Sequence, residues 1–272
     1  MKKLLNGREL AEYIKERQAK QVRGLKQAHG ILPKLAIIRT NPHPVVDSYM
    51  RMKQGYGSDI GITVDVHTVD QADAITKIKD LNGNDSVHGI IVQIPLPDPS
   101  QTDEILDAVA PEKDVDALGN SAIYDPATPL AIAWLLAGYN IELKNKKIVI
   151  VGKGRLVGKP LLKMWQNSGL DVSAVDKKTA DLAVQIKQAD VLVCATGVPG
   201  LITKDMINEN AVIVDAGVAT DSNGLIGDVA QAVRDLPNIS ITPEKGGVGP
   251  LTVCALFDNV IRASRARVHQ AQ

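Results

Sequence analysis

Tyr49 and Lys53 stand four residues apart. In a helix that spacing puts a phenol ring and an amine on one face, able to line one pocket. The plain alternative, a solvated lysine beside a half-buried tyrosine, is the more common outcome of such spacing. Gln93 interrupts the otherwise apolar run 90–94 and is followed by Pro95 and Pro97. A buried amide at a strand end needs partners, so a ligand or a neighbouring lysine is expected beside it. Asp114 and Asp116 flank Val115 in a short loop. Such loops collect at the carboxyl edge of parallel sheets, where open α/β proteins bind ligands, although a turn or helix cap would use the same residues.

A second kind of chemistry belongs to the backbone. Lys147 to Val151 reads as a buried strand and runs into Gly152-Lys153-Gly154-Arg155-Leu156-Val157-Gly158-Lys159-Pro160. Glycines permit the turn and a close approach, free N–H groups at the following helix start meet a pyrophosphate, and Pro160 is placed to open that helix. The spacing is GxGxxxG, and glycine turns of this kind also serve simply to pack an α/β domain. Asp176 closes the next strand, where an acidic side chain meets the adenosine ribose, and Thr196-Gly197 closes the one after. Near the end of the chain, Thr242 to Pro250 holds three glycines in four residues, at 246, 247 and 249. So many cost backbone entropy unless the backbone must come close to something. Histidines at 29, 43, 67, 88 and 269 show no metal-ligand or triad spacing, and no metal is assigned.

These groups need elements to hold them. Asn6 and Glu9 resemble a capping box, after which Leu10, Ile14, Val22 and Leu25 mark one side of a first helix. Apolar runs at 35–38, 64–69 and 90–94 read as strands, with helical patterning at 45–58, 71–81 and 101–109. A helix at about 129–138 leads to a second strand series at 147–151, 172–175, 191–195 and 212–216. A last strand at 239–241 precedes a helix at about 251–266, with Arg262, Arg265 and Arg267 where cations suit a helix C-terminus. Alternation of this kind predicts parallel sheets.

At 272 residues the chain exceeds one ordinary core. The expected fold is therefore two-domain α/β: a three-layer α/β domain over 1–120, then a Rossmann-like dinucleotide-binding domain over 121–272, with a cleft between them and the last helix packing back on the first domain. Charge balances at 31 basic against 31 acidic residues, which argues against nucleic acid or an anionic membrane as partner. One Phe and two Trp leave few stacking platforms. Cys194 and Cys254 lie far apart without CxxC spacing, which fits a reducing compartment. The apolar start ends at Asn6-Gly7-Arg8-Glu9, too early for a signal peptide, and no run reaches the ~20 apolar residues of a membrane span. A cytoplasmic protein is expected.

Taken together, the segments resemble the bifunctional methylenetetrahydrofolate dehydrogenase/methenyltetrahydrofolate cyclohydrolase family over nearly the whole chain. Its Tyr-x-x-x-Lys helix is matched by Tyr49 to Lys53, its Gly-x-x-Val-Gln-x-Pro-Leu-Pro strand by Gly89 to Pro97, and its Asp-Val-Asp loop by Asp114 to Asp116. The cofactor turn is matched by Gly152 to Pro160, a Gly-Asp-Val by Gly227 to Val229, and the Gly-Gly-Val-Gly-Pro turn by Gly246 to Pro250. The resemblance implies that 5,10-methylenetetrahydrofolate is oxidised with NADP, NAD being possible, and that the methenyl product is hydrolysed to 10-formyltetrahydrofolate. It implies catalytic roles for Lys53, Gln93 and Asp116, with folate held by these, Tyr49, Gly246, Gly247 and Pro250. Tyr49 would pack on the folate's aromatic ring, and Asp116 would bond the pterin. The dinucleotide would lie on Gly152, Lys153, Gly154, Arg155, Val157, Gly158, Pro160, Asp176, Lys177, Thr196, Gly197 and Gly217. A homodimer is also implied.

Departures from the family pattern bear on both ligands. Lys153-Gly154 stands for Arg-Ser, Asp176-Lys177 for His-Ser, Ala117 for Gly, Gly55 for a second Lys, and Glu244-Lys245 for Val-Pro. A shikimate-type dehydrogenase is one competing reading, but it accounts for neither Gln93 in its Pro-flanked strand nor the Gly246 to Pro250 turn. A non-catalytic nucleotide-binding relative is another, with little reason to keep Lys53 beside Gln93.

Overall fold

The computed structural model describes residues 2–41, 44–221 and 224–270; His43 lies outside them. In chain order its first half holds β1 (Lys3–Leu4), α1 (Gly7–His29), β2 (Lys34–Arg39), α2 (Pro44–Ile60), β3 (Thr63–Thr68), α3 (Ala74–Asn82), β4 (Gly89–Gln93), α4 (Thr102–Asp107) and α5 (Ala127–Gly138). The second half holds β5 (Ile148–Val151), α6 (Gly158–Asn167), β6 (Val172–Val175), α7 (Leu182–Lys187), β7 (Val191–Cys194), β8 (Val212–Asp215), β9 (Ala219–Asp221), β10 (Gly224–Ile226), α8 (Gln231–Arg234), β11 (Ser240–Ile241) and α9 (Val248–Gln270).

The chain forms two compact units, one of Met1–Ala11 with Thr128–Thr252, the other of Glu12–Ala127 with Val253–Gln272. A single cut after residue 120 does not reproduce this division. β1, too short to show any periodicity, pairs in parallel with β11, Lys3 opposite Ser240 and Leu4 opposite Ile241, so the N-terminus belongs with the nucleotide unit. In the other unit, the Asn259 amide on α9 donates to Val115 O and Asp125 O, both at 2.9 Å, tying 121–127 and the closing helix to the Asp-Val-Asp loop.

In the unit of Glu12–Ala127 the sheet runs β3-β2-β4, all parallel, with Arg39 level with Gln93 and Thr68. Ala36, Ile38, Ile90 and Val92 pack against Ala74, Ile78 and Leu81 of α3 and Ile105 and Leu106 of α4. Both faces of β2 are covered, which is why it reads as a continuous apolar run. α2 sits close to β3 because of Gly57, where a Cβ would stand 2.6 Å from Val64 Cγ2. Tyr56 of α2 stacks on Phe257 of α9, ring centroids 5.0 Å apart. Lys113, 1 % exposed, gives its three protons to Leu81 O, Asn82 O and Asn84 O at 2.8–2.9 Å, closing the end of α3 with a fully bonded cation.

The nucleotide unit has a six-stranded sheet, order β1-β11-β8-β7-β5-β6, in which every pairing is parallel. The chain leaves β5 for β6 on one side and returns to β7 on the other, so the carboxyl end of β5 is the switch point where such sheets bind ligands. α6 starts at Gly158 rather than Pro160; the proline lies in the first turn, where its missing N–H would have had no helical partner. α9 starts at Val248, earlier than the pattern implies. The antiparallel β9–β10 pair was not expected, each strand being only three residues long. At the start of α1, Asn6 Nδ2 donates to Glu9 Oε1 at 2.8 Å and Asn6 Oδ1 accepts from Arg8 N at 3.1 Å, a side-chain variant of the expected capping box.

Candidate active site and dinucleotide turn

Lys53 comes from α2 and Gln93 ends β4, forty residues later, yet Lys53 Nζ donates to Gln93 Oε1 at 3.1 Å. The amide is oriented from behind, since Gln93 Nε2 donates to Ile94 O at 2.9 Å and leaves its oxygen for the lysine. Asp116 arrives by a different route. Asp114 forms a parallel bridge with Ile90, so the chain from 114 to 116 runs alongside β4 in the direction of Gln93. Burial pushes the Lys53 ammonium below the ordinary lysine range, opposed by the negative charge of Asp116. Burial pushes the Asp116 carboxyl up, opposed by Lys53. The result is a half-buried amine beside an amide and a carboxylate, whose burial disfavours its ammonium form.

The two aspartates of the loop do different work. Asp114 closes its own loop, its carboxylate accepting from Gly119 N at 2.8 Å and Leu118 N at 3.5 Å. Ala117 turns that loop at φ 56, a left-handed conformation that costs an L-residue roughly 1–2 kcal/mol and suits glycine better. Tyr49, one turn before Lys53 on α2, is 37 % exposed. The sequence reading missed Arg39. It stands level with Gln93 on the neighbouring strand and pairs with Asp47 in the first turn of α2, while its Nε is buried with no acceptor. The only signal was a charge ending an apolar strand.

In the other unit, two glycines of the turn after β5 are sterically required. Gly152 has φ 107, and a Cβ there would lie 2.4 Å from Ala195 O; a Cβ on Gly158 would lie 1.9 Å from Gly152 O. Gly154 meets nothing within 4 Å. The middle glycine of GxGxxxG is therefore free of any steric demand. Lys153 Nζ stands 3.7 Å from Asp176 Oδ2, both side chains partly exposed. Asp176 Oδ1 accepts from Lys178 N at 2.9 Å and Thr179 Oγ1 at 3.4 Å. Its carboxyl is held below the usual range by the Lys178 N–H first, with Lys153 contributing. Arg155 and Lys177 are exposed, Val157 precedes α6 as its cap, and Pro160 lies within it. Gly197, at φ 70, follows Thr196 beyond β7, and Gly217 follows β8.

The glycines before α9 do come close to something, and it is the chain itself. A Cβ on Gly7 would lie 1.8 Å from Gly247 O, and Arg8 N donates to Gly246 O at 3.0 Å. Gly246 has φ 86, whereas Gly249 has open space around it. Gly246, Gly247 and Pro250 thus belong to the nucleotide unit, and Lys53, Gln93, Asp116 and Tyr49 to the other.

Residues 5–116 match the sequence profile of the tetrahydrofolate dehydrogenase/cyclohydrolase catalytic domain, and residues 126–268 that of its NAD(P)-binding domain. This chain belongs to the tetrahydrofolate dehydrogenase/cyclohydrolase family. The bifunctional protein FolD of Staphylococcus aureus (strain Newman) is 36 % identical to it over 280 residues, covering 97 % of each chain. The solved bifunctional FolD of Campylobacter jejuni superposes with a TM-score of 0.92 at 34 % identity, over 98 % of this chain and all of that one. FolD of Trypanosoma brucei, solved with NADP cofactor and an inhibitor, gives 0.89 at 28 % identity, over 97 % of this chain and 98 % of that one. The catalytic-domain match contains Tyr49, Lys53, Gln93 and Asp116, and the NAD(P)-binding match contains the whole glycine turn. As a tetrahydrofolate dehydrogenase/cyclohydrolase, the enzyme oxidises methylenetetrahydrofolate and hydrolyses the methenyl product.

Proposed function

We propose that Lys53 handles the proton in the hydrolytic step, that Gln93 holds its amine in place, and that Asp116 anchors the pterin. The observation that carries this is the Lys53–Gln93 hydrogen bond at 3.1 Å, made by a lysine whose burial disfavours its ammonium form. Hydride transfer asks little proton chemistry of the protein; its contribution there is to align two ring systems and keep water out. Addition of water to the methenyl carbon does release a proton, and a neutral Lys53 amine is suited to accept it. Asp116, by partly holding the ammonium, tunes how much neutral amine is present. Tyr49 offers an exposed ring as a stacking surface.

The turn after β5 fits a dinucleotide, since Gly152 and Gly158 let the backbone fold tightly on itself between β5 and α6, the strand-to-helix packing that leaves N–H groups at the helix start for a pyrophosphate. When bound, the dinucleotide supplies the hydride acceptor. We take NADP as the preferred form: Lys153 sets a cation beside Asp176 and Lys178 follows, enough positive charge to accept a 2′-phosphate without bidentate geometry. Asp176 itself favours NAD, so discrimination is expected to be modest. Steady-state oxidation of methylenetetrahydrofolate with NADP and NAD side by side tests this, and methenyl hydrolysis by Lys53→Met tests the proton role. We further propose that the enzyme works in the cytoplasm as a homodimer. No helix among the described residues is long and apolar enough to cross a membrane. Gel filtration with light scattering reads the mass.

A further inference from the structure

The Gly227-Asp228-Val229 segment has no part in the site described so far, yet it lies against two of the turns that end the nucleotide sheet. Asp228 is fully buried. Its Oδ2 accepts the backbone N–H of Thr196, just after β7, at 2.6 Å. Its other oxygen is pressed on Gly217, just after β8, where a Cβ would lie 2.1 Å from Oδ1. Thr196 Oγ1 in turn accepts from Val198 N at 3.1 Å, so the bond to Asp228 reaches through the whole 196–198 turn, including Gly197 at φ 70.

The segment itself is held from beneath by an acid with a different task. Asp215, at the end of β8, accepts from Gly217 N at 3.2 Å, Asp228 N at 3.0 Å, Val229 N at 3.2 Å and Arg234 Nη2 at 2.7 Å. Arg234 is clamped in place by Thr242 O at 2.8 Å. Asp215 is thus satisfied on both oxygens, as a structural carboxylate should be. Asp228 is not: its Oδ1 is buried without a donor. Hydrogen bonding inside the fold accounts for one oxygen of Asp228, and the shape of the Gly217 turn for the other.

Sheet order says which end of a dinucleotide these turns would meet. β6, with Asp176 at its end, lies on one side of the β5 glycine turn, while β7 and β8 lie on the other. If the adenosine ribose is met at β6, the nicotinamide end falls to the turns after β7 and β8. We propose that Asp228 is a positioning residue for hydride transfer: through Thr196 N–H and contact with Gly217 it sets the spacing of these two turns, and so the seat of the nicotinamide ring. This rests on the cofactor reading above and goes beyond it by separating the two activities. Hydrolysis, which uses Lys53, requires no nicotinamide alignment.

The test is Asp228→Ala, with Asp228→Asn as the conservative partner, whose amide oxygen can still accept from Thr196. Both are assayed for dehydrogenase, for methenyl hydrolysis and for binding of adenosine diphosphate. A misplacement of reacting groups by about an ångström costs on the order of 10²-fold. Asp228→Ala is expected to lose about that in dehydrogenase kcat and to show a larger primary isotope effect with a methylene-deuterated substrate. Hydrolysis and adenosine diphosphate affinity should stay within about twofold, and Asp228→Asn should recover most of the loss. If Asp228→Ala fails to fold, Asp228→Ser, which removes the carboxylate but keeps a polar side chain, takes its place and must show the larger isotope effect with hydrolysis intact. Parallel loss of both activities, or an unchanged isotope effect, overturns the proposal. Failure of the cofactor reading looks different: Lys153→Ala and Gly158→Ala would then leave dinucleotide binding by the otherwise native chain unchanged.

Discussion

The lysine edge of one unit and the glycine turn of the other bring candidate ligand-binding groups together in opposite ways. At the lysine edge the groups are side chains from α2, β4 and the loop after α4, far apart in sequence, and what matters is their burial and mutual charge. In the glycine turn the groups are backbone, consecutive in sequence, and what matters is the absence of a Cβ at Gly152 and Gly158. A site built of side chains should thus be sensitive to chemistry at nearly constant shape. A site built of backbone should be sensitive to shape at nearly constant chemistry.

Lys53→Met separates the two most strongly. Methionine keeps the length and loses the amine, so methenyl hydrolysis should fall by about 10²–10⁴-fold while folate still binds. The decay of methenyl absorbance reads the rate, and equal rates in variant and parent would remove Lys53 from the mechanism. Asp116→Ala should lower both activities together, roughly 10- to 100-fold, through loss of a charged hydrogen bond worth roughly 1.5–3 kcal/mol. Loss of one activity alone would show that its role is not pterin anchoring. Asp116 also holds the Lys53 ammonium up against burial. Hydrolysis should therefore rise with pH as the amine loses its proton, and Asp116→Asn should move that rising limb to lower pH.

Smaller effects are expected at the turn. Lys153→Ala should lower the NADP/NAD ratio of kcat/KM several-fold, and Asp176→Ser should raise it, because the two charges stand 3.7 Å apart and act in opposite senses on a 2′-phosphate. Were Lys153→Ala to leave the ratio alone while Asp176→Ser created NADP use from nothing, the parent would be an NAD enzyme. Smallest of all is Gly154→Ala. With open space around it and no left-handed φ, the change should stabilise the chain by about 0.4–1 kcal/mol and leave dinucleotide KM unchanged. A lower melting temperature or a raised KM would mean that the middle glycine serves the ligand after all.

How much of this was legible in the sequence follows the same division. The buried strands β2, β4, β5, β7 and β8 could be read as apolar runs to within a residue or so at either end, since burial on both faces of a parallel sheet leaves little room for polar residues. The edge strands β3 and β6 were located as closely, although they are only partly buried and carry Asp65, His67 and Ser173. β1, β9 and β10 could not, because two or three residues carry no period. Nor could the route of the N-terminus into the second sheet, which depends on β11 offering an open edge at the other end of the chain. The glycine run before α9 was correctly expected to come close to something, but that its neighbour is Gly7 was invisible, 240 positions separating Gly7 from Gly247.

The amino-acid order alone determined the two parallel sheets, the place of the glycine turn and the set of polar residues available for chemistry, because these follow from periodicity and from steric limits acting between neighbours. Tertiary structure alone decided which of the two loop aspartates closes its own turn and which meets a lysine. It also decided that Gly152 and Gly158 are required where Gly154 is not, and that a fully buried Asp228 stands under the turns after β7 and β8. Each of those outcomes is a contact between segments distant in the chain, and desolvation and Coulomb energies depend on distance through space, which residue spacing does not encode.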